Sequence, residues 1–467
     1  MRYLLVTVAL LLAAQGVCAG DPPKDLLSLK DEQRSSWAAP RTAWDVRPSA
    51  PAQETLTWHD FMREVLSANL DYAVARSDVD MAAADASAAR RMPNPHISLG
   101  SDRDLTFHDA HGIGADGQPV LLRQVESRSI GVDQTIETGG KRKWRSLVAD
   151  QGLRSAAATL DDFVRNLKLD AASAYADALV AAAAVERLRA VADFLARLDR
   201  AQQQRLASGD IGKPDLTQTQ LEEARFRNDL SKAETDAQAA RLVLATFLGR
   251  SRGQTDFAVT GALPRPMSER DGTAAIAAAL QNRPDLVALR HARDAADSAV
   301  VLAKATRAPN VDLSLGYARN GGVALNHPTD PTPAFNQLVL GVSIPLPLFD
   351  RGREGVSKAL AAAAQARSQL AAAELRAEVE IRTADARYRS ARQRVQSFDG
   401  GILKSADELL EAKRFSYQRG AATLLELLDA QRSANDIRAD YEQALSDAVR
   451  AEIDFERAGG AEVEIHF

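Results

Sequence analysis

One cysteine in 467 residues, at position 18, leaves no pair for a disulfide framework and no thiolate set for a soft-metal relay. Sulfur ligands are otherwise limited to methionines such as Met62, Met81, Met92 and Met267. Aromatic residues make up only 5% of the chain, which excludes a large aromatic-filled core; the abundance of alanine favours slender helices in close contact. Basic residues are not in excess. The net charge of −5 gives no footing for nucleic acid as a partner. Beyond residue 20 no apolar run approaches the ~18 residues of a transmembrane helix, which leaves a soluble chain or one that crosses a membrane as β-strands. Catalytic frames are missing too. Gly139-Gly140-Lys141-Arg142 lacks the Gly-x4-Gly-Lys-Ser/Thr frame of a phosphate loop, and no Ser/His/Asp arrangement has a supporting motif. The chain therefore reads as a non-enzyme with no cofactor and no metal site. His108, Asp109 and His111 have ligand spacing, but read as solvated loop residues.

What is present begins with a secretory leader. Arg2 supplies the positive start, Tyr3 to Ala14 an apolar core too short to span a bilayer, and Val17-Cys18-Ala19 a small-residue cleavage site. This predicts a signal peptide over 1–19 and an exported mature chain. Cys18 as a lipidated first residue is the alternative. Residues 20–53, rich in Pro and Asp, read as a linker.

The remainder repeats itself. Pro93-Asn94-Pro95-His96-Ile97-Ser98-Leu99-Gly100 resembles Pro309-Asn310-Val311-Asp312-Leu313-Ser314-Leu315-Gly316. Gly131-Val132 leads to Gly140-Lys141-Arg142 as Gly341-Val342 leads to Gly352-Arg353. Gly209, Asp215, Leu216 and Gln220 match Gly420, Glu426, Leu427 and Gln431. These landmarks predict two tandem copies, 54–250 and 271–460, with a linker at 251–270 and a tail at 461–467. Each copy is expected to hold a helix (about 57–91 and 272–307), two strands, a very long helix, a Gly-containing turn and a last helix.

The strands alternate. Val311, Leu313, Leu315 and Tyr317 share one face, with Asp312, Ser314, Gly316 and Ala318 opposite; Leu338, Leu340, Val342, Ile344 and Leu346 repeat the pattern, and Pro345 and Pro347 mark the end. The long helices, Lys141–Ser208 and Arg353–Arg419, contain no Pro and could each reach on the order of 100 Å. Leu160, Phe163, Leu167, Ala171, Tyr175 and Leu179 form a coiled-coil-like seam between charged positions. Four amphipathic strands cannot close a barrel, which needs about eight, and an open edge in lipid leaves backbone groups unmet. Three copies would supply twelve.

With Arg283-Pro284-Asp285-Leu286 and Gly420-Ala421-Ala422-Thr423-Leu424-Leu425-Glu426-Leu427-Leu428-Asp429-Ala430-Gln431, these segments resemble the TolC family of outer-membrane efflux channels over nearly the whole mature chain. Glu137-Thr138-Gly139-Gly140 and Ile344-Pro345-Leu346-Pro347-Leu348-Phe349-Asp350-Arg351-Gly352 are most similar to the CzcC-like subgroup, which serves heavy-metal pumps of the resistance–nodulation–division (RND) type. The resemblance implies a mainly α fold with a small β part and a homotrimer with a twelve-stranded barrel in the outer membrane. It implies an α-helical barrel in the periplasm, and as partners a periplasmic adaptor and an inner-membrane RND pump. The channel itself would be a passive duct for heavy-metal cations. The tips Ser208-Gly209-Asp210 and Arg419-Gly420-Ala421 would close the entrance and meet the adaptor. Glu426 and Asp429, which share a helix face, would form acidic rings at the aperture. Asp215 and Tyr417 match a latch pair whose usual arginine is replaced here by Ala422. The same channel serving a multidrug pump or type I secretion is the runner-up. A periplasmic adaptor or coiled-coil protein is the alternative from another class, against which the two tandem copies speak.

Overall fold

A computed structural model describes residues 54–103, 110–113, 119–250, 257–265, 272–324 and 335–460. The expected leader, Cys18, the 20–53 linker, His108, Asp109 and the 461–467 tail lie outside the described residues. Among the described residues no helix is long and apolar enough to cross a membrane.

The first copy runs β1 (Glu54–Leu56), α1 (Trp58–Ala68), α2 (Leu70–Ala89), β2 (His96–Arg103), β3 (Ala110–Ile113), β4 (Pro119–Ile136), α3 (Lys141–Ala207) and α4 (Lys213–Phe247). The second runs β5 (Phe257–Val259), α5 (Gly272–Asn282), α6 (Pro284–Thr306), β6 (Val311–Ala324), β7 (Phe335–Ser343) and α7 (Arg353–Ser397). A π-turn at Phe398–Ile402 then leads into α8 (Leu403–Gln418) and α9 (Leu424–Gly459).

Four details depart from the expected plan. The single helix at 57–91 is two, because Asn69 sits in extended backbone: its N–H closes α1 onto Val65, and its side chain accepts from Tyr72 N at 2.9 Å to open α2. Arg283 divides 272–307 in the same way, ahead of Pro284. The second long helix is interrupted where Gly401 takes φ 136°, whereas α3 continues unbroken for 67 residues. Finally, β3 forms a small hairpin on β4 that alternation alone does not announce.

The main sheet is antiparallel in the order β2-β4-β6-β7. Helices follow the same order beneath it: α2 packs on α3, α3 on α6, and α6 on α7. The helices far from the sheet form a second array, with α4 on α3, α3 on α9, and α9 on α7 and α8. Tyr175 anchors the largest core, with Leu56, Phe61, Val65, Leu244 and Phe257, and so ties α3 to both short parallel strands. Burial here is mostly of alanine and leucine at the helical period, as the seam predicts.

The landmarks common to both copies meet physically where strand turns into helix. Gly140 and Gly352 start α3 and α7 with left-handed backbone, φ 70° and 65°, which a side chain rarely adopts. Thr138 Oγ1 donates to Pro309 O, and Lys141 Nζ to Asn310 Oδ1, so the Gly-Gly-Lys turn of copy one holds the Pro-Asn turn of copy two.

Candidate functional site

Two regions gather the residues singled out in the sequence: the sheet and the helix ends farthest from it. In the sheet, cross-strand register places Ile97, Val132, Leu315 and Leu340 in one row, and Leu99, Ile130, Tyr317 and Leu338 in the next, on a single face. Leu99 and Leu340 are more than three-quarters exposed in the protomer. The opposite face is lined by small residues. Gly131 lies against Ser98, Gly100 against Ser129, and Gly341 against Ser314; a Cβ on Gly131 would stand 2.6 Å from Ser98 Oγ. Its charged side chains over the rows from Ser127 to Thr135 are all acidic: Asp102, Asp133 and Asp312, the last accepting from Thr135 at 2.5 Å. Among the described residues β2 and β7 each have one unpaired edge, and both outer helices, α2 and α7, expose apolar side chains: Leu70, Val74 and Met81 on one, Leu360, Leu375 and Val379 on the other.

Arg145 braces the joint between sheet and helix. Its guanidinium grips Glu137 with both arms, Nη2 to Oε2 at 3.0 Å, and donates to the carbonyls of Ala89 and Arg91. The Arg145 hydrogen bond holds the Glu137 carboxyl below its ordinary value of 4.5. A depressed carboxylate contributes stability above that value and loses it as pH falls through the lowered one. Glu137→Gln is therefore expected to cost about 1 kcal/mol near neutrality. In thermal melts the gap between variant and wild type should close in acid; a gap equally wide at about pH 3 would refute the pair's role.

At the far end both hairpins turn alike. Gly209 and Gly420 follow their helices with φ 84° and 71°, and Asp210 N and Ala421 N donate back to Arg205 O and Ser416 O at 2.8 Å, the left-handed stop expected of these glycines. Thr423 caps α9 by accepting from Glu426 N.

The acids at this end are not bare. Lys413 Nζ reaches Glu426 at 2.8 Å, and Arg432 reaches Asp429 at 3.3 Å. Arg432 also forks onto Glu222 of α4, with Nε to Oε2 at 3.0 Å. The Glu222 hydrogen bond raises the Arg432 pKa further. Tyr417 Oη accepts from Gln202 Nε2 at 2.9 Å and from Arg205 Nη1 at 3.2 Å, both on α3. No hydrogen bond joins Tyr417 to Asp215 within the described protomer. The tyrosine abuts the end of α3, whereas Asp215 lies in the first turn of α4 beyond the Gly209 bend. Arg414 completes the bracing, with its guanidinium 4.7 Å from the Phe194 ring centroid and one amine on Gln431 at 2.8 Å. Sequence reasoning placed Glu426 and Asp429 on one face but missed Lys413, Arg432, Glu222 and Gln202. Of these only the Asp429–Arg432 spacing was readable as a local pair.

A family model described as outer membrane efflux protein matches residues 61–250 and 275–461. The chain is 26% identical to the cobalt-zinc-cadmium resistance protein CzcC of Cupriavidus metallidurans, over 70% of this chain and 75% of that one. The same organism's nickel and cobalt resistance protein CnrC is 26% identical over 66% and 68%. Among solved structures, that of CusC, described in terms of transmembrane channel formation, superposes with a TM-score of 0.66 at 19% identity, covering 88% of this chain and 97% of that one.

Proposed function

The chain belongs to the outer membrane efflux protein family, and on that footing we propose that it is the passive exit duct of a tripartite RND-type pump that expels heavy-metal cations. The observation that carries the duct is the pair of open edges. Strand β7 and helix α7 end the protomer on one side, and β2 and α2 on the other. In lipid such edges must be closed. Head-to-tail pairing of β7 with the next copy's β2 keeps the antiparallel order, and three copies give the twelve strands of a barrel. The helical arrays then continue the wall into the periplasm, where an adaptor and the pump would engage the tips at 208–210 and 419–421. Glu426 and Asp429 would face the aperture, each tempered by its basic neighbour, and the Tyr417 hydroxyl, which accepts from Gln202 and Arg205, would keep its proton to donate to Asp215 of a neighbouring copy.

The outer helices support the same closure. Exposed positions on α2 recur at Leu70, Val74, Ser77, Met81, Ala84 and Ala88, alternating four and three residues, as in a coiled-coil seam. On α7 the seam runs Ala361, Ala364, Ser368, Ala372, Leu375 and Val379. Because α2 leads into β2 and α7 follows β7, the two seams meet antiparallel. Ala88 then falls beside Ala361, and Leu70 beside Val379 at the far end, each seam being about 27 Å long. At the sheet end small meets small, and at the far end branched meets branched. Val74→Cys combined with Leu375→Cys should therefore give a disulfide-linked ladder ending at three chains on a denaturing gel, with neither single variant doing so. A detergent-solubilised wild type that runs as a monomer would defeat the ring.

The cargo rests on the relatives' names and on the sheet's small-residue face, where Asp102, Asp133 and Asp312 are the charges that cargo would meet. Fixed negative charge along a low-dielectric wall concentrates cations. Deleting the gene should sensitise the host to divalent heavy-metal ions and leave drug susceptibility unchanged. Sensitivity to drugs alone would favour a multidrug channel.

A further inference from the structure

A cavity of about 550 Å3 opens where α3, α8 and α9 meet the segment that joins the two copies. Pockets that hold small organic ligands span about 300–1,000 Å3. Part of the lining is apolar: Leu179, Ala183 and Val191 of α3, Leu445 of α9, and Leu263 of the joining segment. The polar part comes from three helices, with Arg187 on α3, Arg414 on α8, and Gln431, Arg438 and Glu442 on α9.

Donors outnumber acceptors in this lining. Gln431 is 2% exposed, and its Oε1 accepts from Arg414 Nη2 at 2.8 Å. Its amide nitrogen, with two N–H groups, meets no acceptor among the described residues. The Arg414 Nε is buried and has no partner either. Arg187 places Nε on both Glu442 oxygens, at 3.1 and 3.0 Å, and Nη1 on Asn435 Oδ1 at 2.6 Å; its Nη2 has no acceptor among the described residues. The carboxylates, by contrast, are engaged. Glu442 is held by Arg187, Glu411 accepts from Arg414 at 2.8 Å, and Asp407 accepts from Arg438 at 2.6 Å. Tyr441, also in the lining, donates to Asp399 at 3.1 Å and interacts with the exposed Arg265. The surplus is therefore one of donors and not of charge. Buried donors without an acceptor are unfavourable, and a bound acceptor removes that cost.

We propose that this cavity binds a small monocarboxylic acid with an apolar body, its carboxylate held by Gln431 and Arg187. A carboxylate brings two acceptor oxygens in the plane that guanidinium and amide N–H groups fit. A phosphate dianion would bring charge that this matched set of ions does not offset. A neutral amide has a single acceptor oxygen for donors from two or more side chains. The apolar lining from Leu179, Val191 and Leu445 takes the hydrocarbon body. Because the polar groups stand on α3, α8 and α9, the occupant ties these helices together and stabilises the helical body by mass action. The inference stands on the cavity within one protomer and does not depend on the duct reading.

Calorimetric titration of the purified full chain in detergent tests it, with naphthoate, naphthamide and naphthyl phosphate as probes. Naphthoate should bind once per protomer and raise the melting temperature, with the amide and the phosphate at least roughly tenfold weaker. Gln431→Glu keeps an acceptor for Arg414 but replaces the free donor with a like charge, and should abolish naphthoate binding. Ala183→Phe leaves every donor in place and fills the apolar lining; it should weaken naphthoate at least roughly tenfold. Unliganded melting temperatures near that of the wild type show that both variants are folded. Naphthoate that binds both variants as it binds the wild type overturns the site. Naphthamide or naphthyl phosphate binding as tightly as naphthoate overturns the choice of a monocarboxylate. Absence of binding by all three probes up to roughly 10 mM overturns the proposal as a whole.

Discussion

On the proposed duct, replacing Arg432 with alanine is expected to loosen the helix tips and widen the entrance they would form. Arg432 joins α9 to α4 by forking onto Glu222, and its third contact is Asp429. The Glu222 side chain is only 11% exposed, so removing its partner leaves a nearly buried carboxylate without compensation. Stranding one member of a buried pair costs 3–5 kcal/mol, and the partial exposure of Arg432 places this case at about 3. The protomer can lower that cost by letting α4 and α9 separate until water reaches Glu222. Asp429 loses its neighbouring cation at the same time. Single-channel recordings should show a several-fold larger and more cation-selective conductance, and cells should admit antibiotics normally too large to enter. Arg432→Lys retains the charge without the fork and should be intermediate. Removing the stranded acid as well, in Glu222→Gln/Arg432→Ala, should return much of the closed behaviour. If the double variant conducts as the sum of the single ones, the two residues are not coupled and the brace is not what holds the end shut.

The contrast between Arg432 and its partners shows which parts of this protein a sequence reveals. Repeats, periods and glycines are local. The left-handed turns at Gly209 and Gly420, the starts at Gly140 and Gly352, and the alternating rows of β6 and β7 all follow from residues within a few positions of one another. The split at Asn69 was written in a polar cap rather than in a Gly or Pro, and a run of helix formers on both sides concealed it. The break at Phe398–Ile402 was marked by Gly400 and Gly401, yet glycine alone does not distinguish a tolerated helical residue from a kink. Ties between distant segments were illegible. Nothing near Glu222 announces Arg432, and nothing near Tyr417 announces Gln202, because both pairings depend on how α3, α4, α8 and α9 are laid side by side. Even where a motif was visible, its reason was not. Arg283 stands in a recognisable Arg-Pro-Asp-Leu segment, but only the fold places it against Asp285, Glu380 and the carbonyl of Ala458. It fastens the end of α9 to the start of α6.

Tyr175→Ala should be the most destabilising single change in the helical body. The ring is fully buried against Trp58 and Phe61, at centroid distances of 5.4 and 5.5 Å, and the hydroxyl faces the carbonyls of Leu56 and Thr260 at 3.0 and 2.8 Å. Those carbonyls belong to the paired segments that open the two copies, so this one side chain pins both repeats to α3. Truncation removes the ring and leaves a cavity, which costs about 3–5 kcal/mol, and should lower the apparent melting temperature of the oligomer sharply. Tyr175→Phe separates the two contributions: packing survives and the buried carbonyls lose a donor, for about 1–3 kcal/mol. Alkali distinguishes them independently. Burial pushes the Tyr175 hydroxyl up to about 12. A group whose pKa is raised on folding contributes fully below its unfolded value of about 10, and that contribution disappears as pH climbs to the folded one. Wild type should thus lose stability relative to Tyr175→Phe between those two values, and the two melting curves should converge. Parallel loss in both proteins would mean that the hydroxyl does not carry the tie, and that the ring's packing alone holds the two copies to α3.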